Sequence, residues 1–280
     1  MTSQLQGAAT LRVCGATDVG LQREQNQDTF VIADLDSGEV NSPCVEVELS
    51  VSNSGYLLLV CDGMGGAPAG DTASHIAAAS IKERLVDAGQ GVSERPAEAL
   101  EEAVAAANKA ILDDVSDEPR RKGMGTTCTA AVVLPGTLTV AQVGDSRAYL
   151  LRDGKLWALT KDQSLAARLV DEGVLTTEGV STFAYRHVLL QALGGKKAVA
   201  PVINQYRLVG GDRILLCSDG LHGLVPDGEI QAALTDTTEL ATTTRTLVER
   251  ALAAGGKDNV TVVVAEYRVS DAPNAPASPR

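Results

Sequence analysis

The sequence predicts an α+β protein in which helices pack on the outside of antiparallel sheets. Segments typical of strands and of helices come in blocks along the chain and do not alternate one by one. Tight turns at Pro135-Gly136 and Asp153-Gly154 join neighbouring strand patterns, as is typical of antiparallel pairing. Aromatic residues make up only 3% of the 280 residues, so we expect a core of Val, Leu, Ile and Ala.

The first half of the chain combines strand patterns with two helical patterns. Period-two alternation or short continuous apolar runs predict the strands. Apolar residues at helical spacing predict the helices, and Pro96 suits the first turn of the second helix. The predicted elements are strands at 11–19, 29–33, 45–51 and 56–61 and helices at 69–87 and 96–115.

The second half is predicted to contain a β-meander, an irregular segment and a closing group of strands and helices. The irregular segment, residues 161–200, is long for a loop in a compact domain, so we expect it to be functional or mobile. The other predicted elements are strands at 128–134, 138–143, 148–152, 155–159, 202–208, 213–217 and 260–267, a short helix after Asp219, and helices at 165–172 and 239–253.

The predicted domain organisation is one domain over residues 9–268. We expect a flexible leader at 1–8 and a disordered tail at 269–280, which carries three prolines. No basic-then-apolar segment opens the chain and no run of 18 apolar residues occurs, so neither a signal peptide nor a membrane span is expected.

Charge and cysteine content restrict the partners and the compartment. The 36 acidic and 24 basic residues give a net charge of −12, which repels nucleic acid and anionic membranes. The five cysteines are odd in number and form no CxxC pair, so we expect buried free thiols in a reducing compartment. These features indicate a cytoplasmic protein, which we expect to be monomeric.

Acidic motifs at predicted strand ends carry the chemistry. Each of four distant segments places an Asp beside Gly or Asn, and a fifth Asp stands near the N-terminus. If a sheet gathers these ends, the carboxylates repel one another and must be neutralised by protons or cations. Ligand sets made only of oxygen suit Mg²⁺ or Mn²⁺, which indicates a metal-dependent hydrolase. The five residues are Asp28, Asp62, Asp145, Asp219 and Asp258.

Taken together, the motifs resemble the protein phosphatase 2C family of metal-dependent Ser/Thr phosphatases, in its compact bacterial form. They occur in the family's order and spacing over about residues 11–267. The resemblance implies a four-layer α-β-β-α sandwich, with two antiparallel sheets flanked by helix pairs and the metal site at one end. The matching stretches are residues 18–20, 23, 26–28, 62–66, 125–127, 144–147, 218–221 and 258–261.

The resemblance also implies a set of metal ligands. Asp62 would bridge two Mn²⁺ or Mg²⁺ ions, and the carbonyl of Gly63 would complete one site. Gly63 has no side chain to block that approach. Asp219 and Asp258 match further ligands, and Asp145 matches a residue that holds a third, looser ion together with Asp219. Asp28 matches a carboxylate that acts mainly through metal-bound water.

The implied reaction is in-line attack of metal-activated water on phosphorus, without a phospho-enzyme intermediate. The resemblance makes Arg23 the phosphate-binding residue and Arg23, Asp62 and Asp219 the catalytic set. Met64 stands where some relatives have a proton-donating His, so the general acid stays unassigned. Residues 161–193 correspond to the family's flap, which we expect to tune substrate choice and metal exchange.

Histidines and one further arginine are expected to be structural. His75 and His222 suit helix surface or packing roles better than ligation, and a structural role is also favoured for His187, with a role on the substrate side as the alternative. Arg147, in the Gly-Asp-Ser-Arg motif, is expected to be an ion-pair partner.

The leading hypothesis is a phosphatase acting on phosphoserine and phosphothreonine of proteins, a Ser/Thr kinase among them. A phosphatase dedicated to a partner-switching regulator is an alternative within the same chemistry. A catalytically inactive phosphoprotein-binding module normally lacks metal carboxylates, whereas Asp62, Asp219 and Asp258 are all present here. A structural cation-binding protein would leave Arg23 unexplained, and no 12-residue calcium loop occurs.

Overall fold

A computed structural model describes residues 9–39, 46–66 and 69–270 of the chain. One sheet, sheet A, consists of six strands that pair antiparallel with their neighbours. Its strands lie in the order β3 (Val47–Ser50), β1 (Ala9–Asp18), β12 (Val260–Val269), β11 (Arg213–Cys217), β8 (Arg147–Arg152) and β9 (Lys155–Ala158). β1 and β12 pair over their full length, so the first and last described strands lie side by side.

The second sheet, sheet B, is also antiparallel. Its order is β10 (Val202–Arg207), β7 (Thr137–Val143), β6 (Cys128–Leu134), β4 (Tyr56–Met64) and β2 (Asp28–Asp34), and the short β5 (Gly125–Thr126) pairs with the end of β4. The meander β6–β7 is joined by the turn at Pro135-Gly136 that the sequence predicts.

Helices cover the outer faces of both sheets. The helices outside sheet B are α1 (Ala69–Ala88), α2 (Gly91–Glu94) and α3 (Pro96–Asp117). Those outside sheet A are α5 (Asp219–His222), α6 (Asp227–Asp236) and α7 (Leu240–Ala253), and α4 (Leu165–Asp171) lies in the flap. Short 3₁₀ turns occupy Pro119–Arg121 and Glu178–Thr182.

Three apolar layers hold these elements together. In β4 the side chains of Leu57 and Leu59 pack with α1 and α3, while those of Leu58 and Val60 pack between the sheets. This alternation follows from the two-residue period of a strand, and it explains why a strand buried on both faces is continuously apolar. A third layer joins sheet A to α6 and α7. The four-layer α-β-β-α prediction is therefore confirmed.

Some element boundaries differ from the sequence prediction. The alternating run at 45–51 forms a strand only over Val47–Ser50, and residue 45 lies outside the described part. The sequence interpretation does not include α6, a short helix with Gly and Asp in its first turn that packs through Ile230 and Leu234. Tertiary packing outweighs the weak local preference of such a helix.

The predicted ends of the domain can be compared only in part with the structure. β12 continues through Val269, one residue beyond the predicted domain end. The leader predicted at 1–8 and residues 271–280 of the predicted tail lie outside the described residues. Within the described residues, no helix has the length and apolar character needed to cross a bilayer.

The packing of α1 on sheet B generates a stability prediction. Ile81 is completely buried in this layer. We expect Ile81→Ala to lower the free energy of unfolding by about 3 kcal/mol, because it leaves a cavity in a close-packed core. Urea unfolding at fixed pH measures the change. Val174→Ala, at a side chain that is 70% exposed, is the control and should shift stability by less than about 0.5 kcal/mol. Equal shifts in the two variants would contradict this packing.

Candidate metal centre

The five acidic residues of the motifs lie at one end of the sandwich, where strands of both sheets terminate. Asp28 begins β2 and stands directly opposite Asp62 on β4. Asp219 follows β11, Asp258 precedes the neighbouring β12, and Asp145 lies in the turn between β7 and β8. Sheet pairing therefore brings together residues that are far apart in the sequence.

The backbone of Asp62 is held by the two threonines of the Gly-Thr-Thr motif. The Asp62 amide donates to Thr127 Oγ1 at 2.9 Å, and the Asp62 carbonyl accepts from the Thr127 amide and from Thr126 Oγ1, each at 2.9 Å. Thr127 Oγ1 also contacts Ser146 Oγ at 2.7 Å. The Gly-Thr-Thr and Gly-Asp-Ser-Arg motifs thus fix the position of Asp62 and leave its carboxylate available.

The packing around residue 63 gives a reason for glycine that differs from the one expected from the sequence, which is access of a metal to its carbonyl. A Cβ atom at this position would overlap the backbone carbonyl of Gly70 in α1 and that of Gln27. The amide of Gly63 also donates to the Gln27 carbonyl at 3.2 Å. The absence of a side chain therefore lets three backbone segments approach closely beside Asp62.

Asp28 is buried and connects the two sheets. Ser218 Oγ donates to Asp28 Oδ2 at 2.7 Å and accepts from the Thr261 amide at 3.0 Å. Burial raises the pKa of Asp28 to about 7, although the hydrogen bonds from Ser218 and Thr261 favour its charged form. Thr261 lies in β12 of sheet A, Ser218 directly follows β11 of the same sheet, and Asp28 lies in sheet B, so this contact ties the sheets together at the site.

Asn259 anchors the loop that carries Arg23. Its Nδ2 donates to the carbonyls of Val19 at 2.9 Å and Gln25 at 3.0 Å, while its Oδ1 accepts from the Gln27 amide at 2.9 Å. Both donor hydrogens and the oxygen of one amide side chain thus hold the loop against the start of β12. Arg23 is half-exposed and its Nη2 lies 2.6 Å from Asp258 Oδ2.

The carboxylates interact strongly across the site. Burial raises the pKa of Asp62 well above its usual range, and the charges of Asp28, Asp219, Asp145 and Asp258 raise it further. Burial also raises the pKa of Asp145 to about 7, with Asp219 adding to the effect. The folded chain thus makes the negative charges of Asp62 and Asp145 unfavourable, which is the condition that a cation relieves.

The donor chemistry fits a hard divalent cation. The interacting side chains are carboxylates, and oxygen donors are the preferred ligands of Mn²⁺ and Mg²⁺. In the described ranges no three Asp, Glu, His or Cys side chains converge in ligating geometry. Asp62 and Asp219 are nevertheless close enough to hydrogen-bond, and Asp258 is held at the rim by Arg23.

Two histidines lie beside the acidic residues. His187 Nδ1 is 3.8 Å from Asp219 Oδ2, and His222 Nε2 contacts the Asp145 carbonyl at 3.0 Å. Burial alone would raise the pKa of Asp219, but the two histidines outweigh it and lower that pKa. The sequence favours a structural role for His187, whereas the structure places its exposed side chain at the site. His75 stays on the exposed face of α1.

A cleft of about 710 Å³ opens over the centre. Arg23, Asp145, Asp219 and Asp258 line it, and the flap forms its opposite wall through residues between Lys161 and His187. The cleft therefore brings carboxylates, a guanidinium and residues of the flap around one small volume.

Arg147 also lines the cleft, but its guanidinium is engaged. Its Nε and Nη2 donate to the two carboxylate oxygens of Asp162 at 2.7 and 2.8 Å, and its Nη1 donates to Tyr149 Oη at 2.9 Å. The ion-pair role predicted from the sequence is therefore confirmed.

The sequence analysis assigns no role to the residues that hold the acidic side chains and the Arg23 loop in place. Thr126, Thr127, Ser218 and Asn259 all occur in the quoted motifs, and each positions a carboxylate or the Arg23 loop. The only sign of their role in the sequence is that each is a hydroxyl or amide side chain within one of the motifs, next to an Asp in the case of Ser218 and Asn259. Their partners are distant in sequence, so only the fold identifies them.

The raised pKa of Asp145 generates a prediction about pH. A carboxyl group whose pKa is higher in the folded than in the unfolded state destabilises the fold once pH exceeds the unfolded value. In EDTA at pH 8 we expect Asp145→Asn to be more stable than the wild type by about 2 kcal/mol. The difference should vanish near pH 4, where the folded protein carries protonated Asp145.

Urea unfolding at pH 4, 6 and 8 measures this effect. Asp153→Asn is the matched control, because Asp153 lies in a hairpin turn with φ of 51° and takes no part in the site. The interpretation fails if Asp145→Asn is less stable than the wild type at pH 8, or if both variants behave alike.

Comparison with known proteins identifies the family of this chain. A family model described as Protein phosphatase 2C matches residues 46–259. The serine/threonine protein phosphatase PstP of Mycobacterium tuberculosis is 39% identical over 256 residues, which cover 91% of this chain and 45% of PstP. The chain therefore spans less than half the length of that relative.

Two further comparisons agree. The protein phosphatase PhpP of Streptococcus pneumoniae is 32% identical over 257 residues, which cover 91% of this chain and 97% of PhpP. The crystal structure of the PstP catalytic domain in complex with two manganese ions superposes with a TM-score of 0.78 at 37% identity, over 93% of this chain and 99% of that one. The chain belongs to the protein phosphatase 2C family.

Proposed function

We propose that the chain is a metal-dependent phosphatase that hydrolyses phosphoserine and phosphothreonine in proteins. The observation that carries the proposal is the group of carboxylates that interact with Asp62, of which Asp145, Asp219 and Asp258 line the same cleft as Arg23. Membership of the protein phosphatase 2C family and the relatives named as Ser/Thr phosphatases support it. The manganese ions in the PstP structure support the choice of Mn²⁺ or Mg²⁺.

We assign metal binding to the acidic residues of both sheets. Asp62, the Gly63 carbonyl, Asp219 and Asp258 would hold two ions, and Asp145 with Asp219 would hold a third. Bound ions of this kind supply an activated water nucleophile at neutral pH and positive charge for the phosphoryl oxygens. Thr127 and Thr126 hydrogen-bond the amide and the carbonyl of Asp62, and this would keep its carboxylate in position beside the bound ions.

Asp28 and Arg23 have separate roles in this assignment. Asp28, buried and hydrogen-bonded to Ser218, would act through a water beside the metals. Arg23 is charged, half-exposed and paired with Asp258, so its guanidinium can turn to grip two phosphate oxygens of the substrate. Met64 ends β4 with a thioether, which carries no proton for the leaving alkoxide.

The proposed substrates are phosphorylated Ser/Thr proteins, a Ser/Thr kinase among them. Four cysteines of the described residues are free and buried, which supports a reducing, cytoplasmic setting. We further propose that one catalytic domain, residues 9–268, acts as a monomer. The complete set of carboxylates argues against an inactive phosphoprotein-binding module, and a regulator-specific phosphatase would use the same chemistry.

Activity with and without metal tests the proposal. With p-nitrophenyl phosphate or a phosphothreonine peptide, we expect turnover in Mn²⁺ and none above background in EDTA. Asp219→Asn should lower kcat by about 10²-fold or more, because it removes a charged ligand. The matched control Asp153→Asn should retain wild-type activity. Turnover above background in EDTA, or an Asp219→Asn variant with the kcat of the wild type, would refute the two-metal mechanism.

Arg23 provides a second kinetic test. A guanidinium binds phosphate through two parallel hydrogen bonds, and a lysine offers only a point charge. We expect Arg23→Lys to lower kcat/KM by about tenfold, with Mn²⁺ affinity measured by calorimetry unchanged. Loss of Mn²⁺ binding in this variant would instead show that Arg23 stabilises the metal centre and would contradict a role confined to phosphate binding.

A further inference from the structure

A second cavity, of about 590 Å³, lies next to the catalytic cleft. It opens where β9 and β10, the edge strands of the two sheets, come near each other. The apolar part of its lining is formed by Val140, Leu159, Leu190 and Val202. Polar and charged side chains line the rest, among them Gln142, Gln163, Arg168, Gln191 and Asn204. Leu190 and Val202 are 38% and 50% exposed, so apolar surface faces solvent here.

β10 offers an unpaired edge beside this cavity. Its backbone pairs with β7 on one side. On the other side, the only backbone group of β10 with a hydrogen bond among the described residues is the Arg207 carbonyl, which accepts from Arg152 Nη2 at 2.7 Å. An edge with free amides and carbonyls can accept another extended chain. Residues of such a chain that share a face with Val202 and Asn204 would point into the cavity.

The segment just before β10 already shows this kind of pairing. The side-chain amide of Gln191 donates to the Ala200 carbonyl at 3.1 Å and accepts from the Ala200 amide at 2.9 Å. The Gln191 side chain thus makes with Ala200 the two hydrogen bonds that the peptide groups of a neighbouring strand would make. Ala200 is therefore fixed against Gln191 just before β10 begins.

The cavity and the catalytic cleft share a wall. Lys161, Asp162, Ser164 and Asp171 line both of them. Lys161 Nζ is 2.6 Å from Asp171 Oδ2, so these charges are paired within the wall. The free apolar surface and the free strand edge then remain as the binding features of the second cavity.

We propose that this cavity and the outer edge of β10 dock the extended flank of a phosphoprotein substrate, through added strand pairing and an inserted apolar side chain. The proposal rests on the proposed function, since the shared wall connects it to a cleft that takes the phosphorylated residue. A chain crossing that wall passes from the cleft directly to β10. This continuity favours the substrate's own flank over a second copy of the chain.

Substitution of Val202 tests the docking surface. Val202→Asp places a charge in the apolar lining at a half-exposed position. We expect kcat/KM for phosphorylated casein to fall about tenfold, through KM, because an apolar anchor is lost. With p-nitrophenyl phosphate, which has no flanking chain, kcat/KM should stay within about twofold of the wild type. Val269→Asp, at a 43% exposed valine at the end of β12, is the matched control.

The possible outcomes separate docking from catalysis. Equal losses with both substrates, or no loss with casein, would overturn the docking proposal. Binding of phosphorylated casein to the wild type and to Val202→Asp in EDTA tests docking independently of turnover, and equal affinities would also overturn it. A wild-type dimer that Val202→Asp dissociates would show that a second copy occupies the surface. Absence of p-nitrophenyl phosphate turnover in Mn²⁺ would count against the proposed function instead.

Discussion

Repulsion among carboxylates at one end of the sandwich is the constraint that organises this structure. Asp28 and Asp62 face each other across neighbouring strands, and burial makes their charges unfavourable. Polar neighbours hold these groups and their backbone in place: Thr126 and Thr127 beside Asp62, and Ser218 beside Asp28. The fold tolerates the arrangement because the large apolar layers around it stabilise the rest of the molecule. Several carboxylates crowded into one buried place are typical of a site that is stabilised by a bound cation.

The two sheets contribute different parts of this centre. Sheet B carries Asp28 and Asp62, whereas Asp219 and Asp258 flank strands of sheet A. The relative position of the two pairs therefore depends on the apolar layer between the sheets and on the hydrogen bond from Ser218 to Asp28. A change that shifts one sheet against the other would alter the distances between the carboxylates without replacing any of them, in keeping with the sensitivity of such sites to their supporting residues.

Much of the fold and of the site could be predicted from local patterns. Tyr56–Val60 are continuously apolar because both faces of β4 are buried, and Asp62 follows at the strand end. Residues whose function depends on distant partners could not be predicted in the same way. Asn259 looks like an ordinary turn residue until the loop at 19–27 closes over it, and α6 has too little helical preference to stand out alone. His187 acquires its position from the flap, which has no regular pattern.

The pairing of β1 with β12 affects how the protein is made. Ala9 lies opposite Val269 and Asp18 opposite Val260. During synthesis β1 is therefore made before all other described strands, but it can pair with β12 only after β12, the last of them, has been made. Until then β1 has only β3 as a neighbour in sheet A, and its other edge stays open. Contacts this distant in sequence slow folding, and a nascent chain with an exposed apolar edge is prone to aggregate. Sheet A is thus completed only when β12 is available, and the edge of β1 that β12 covers is the one most open to misassociation before then.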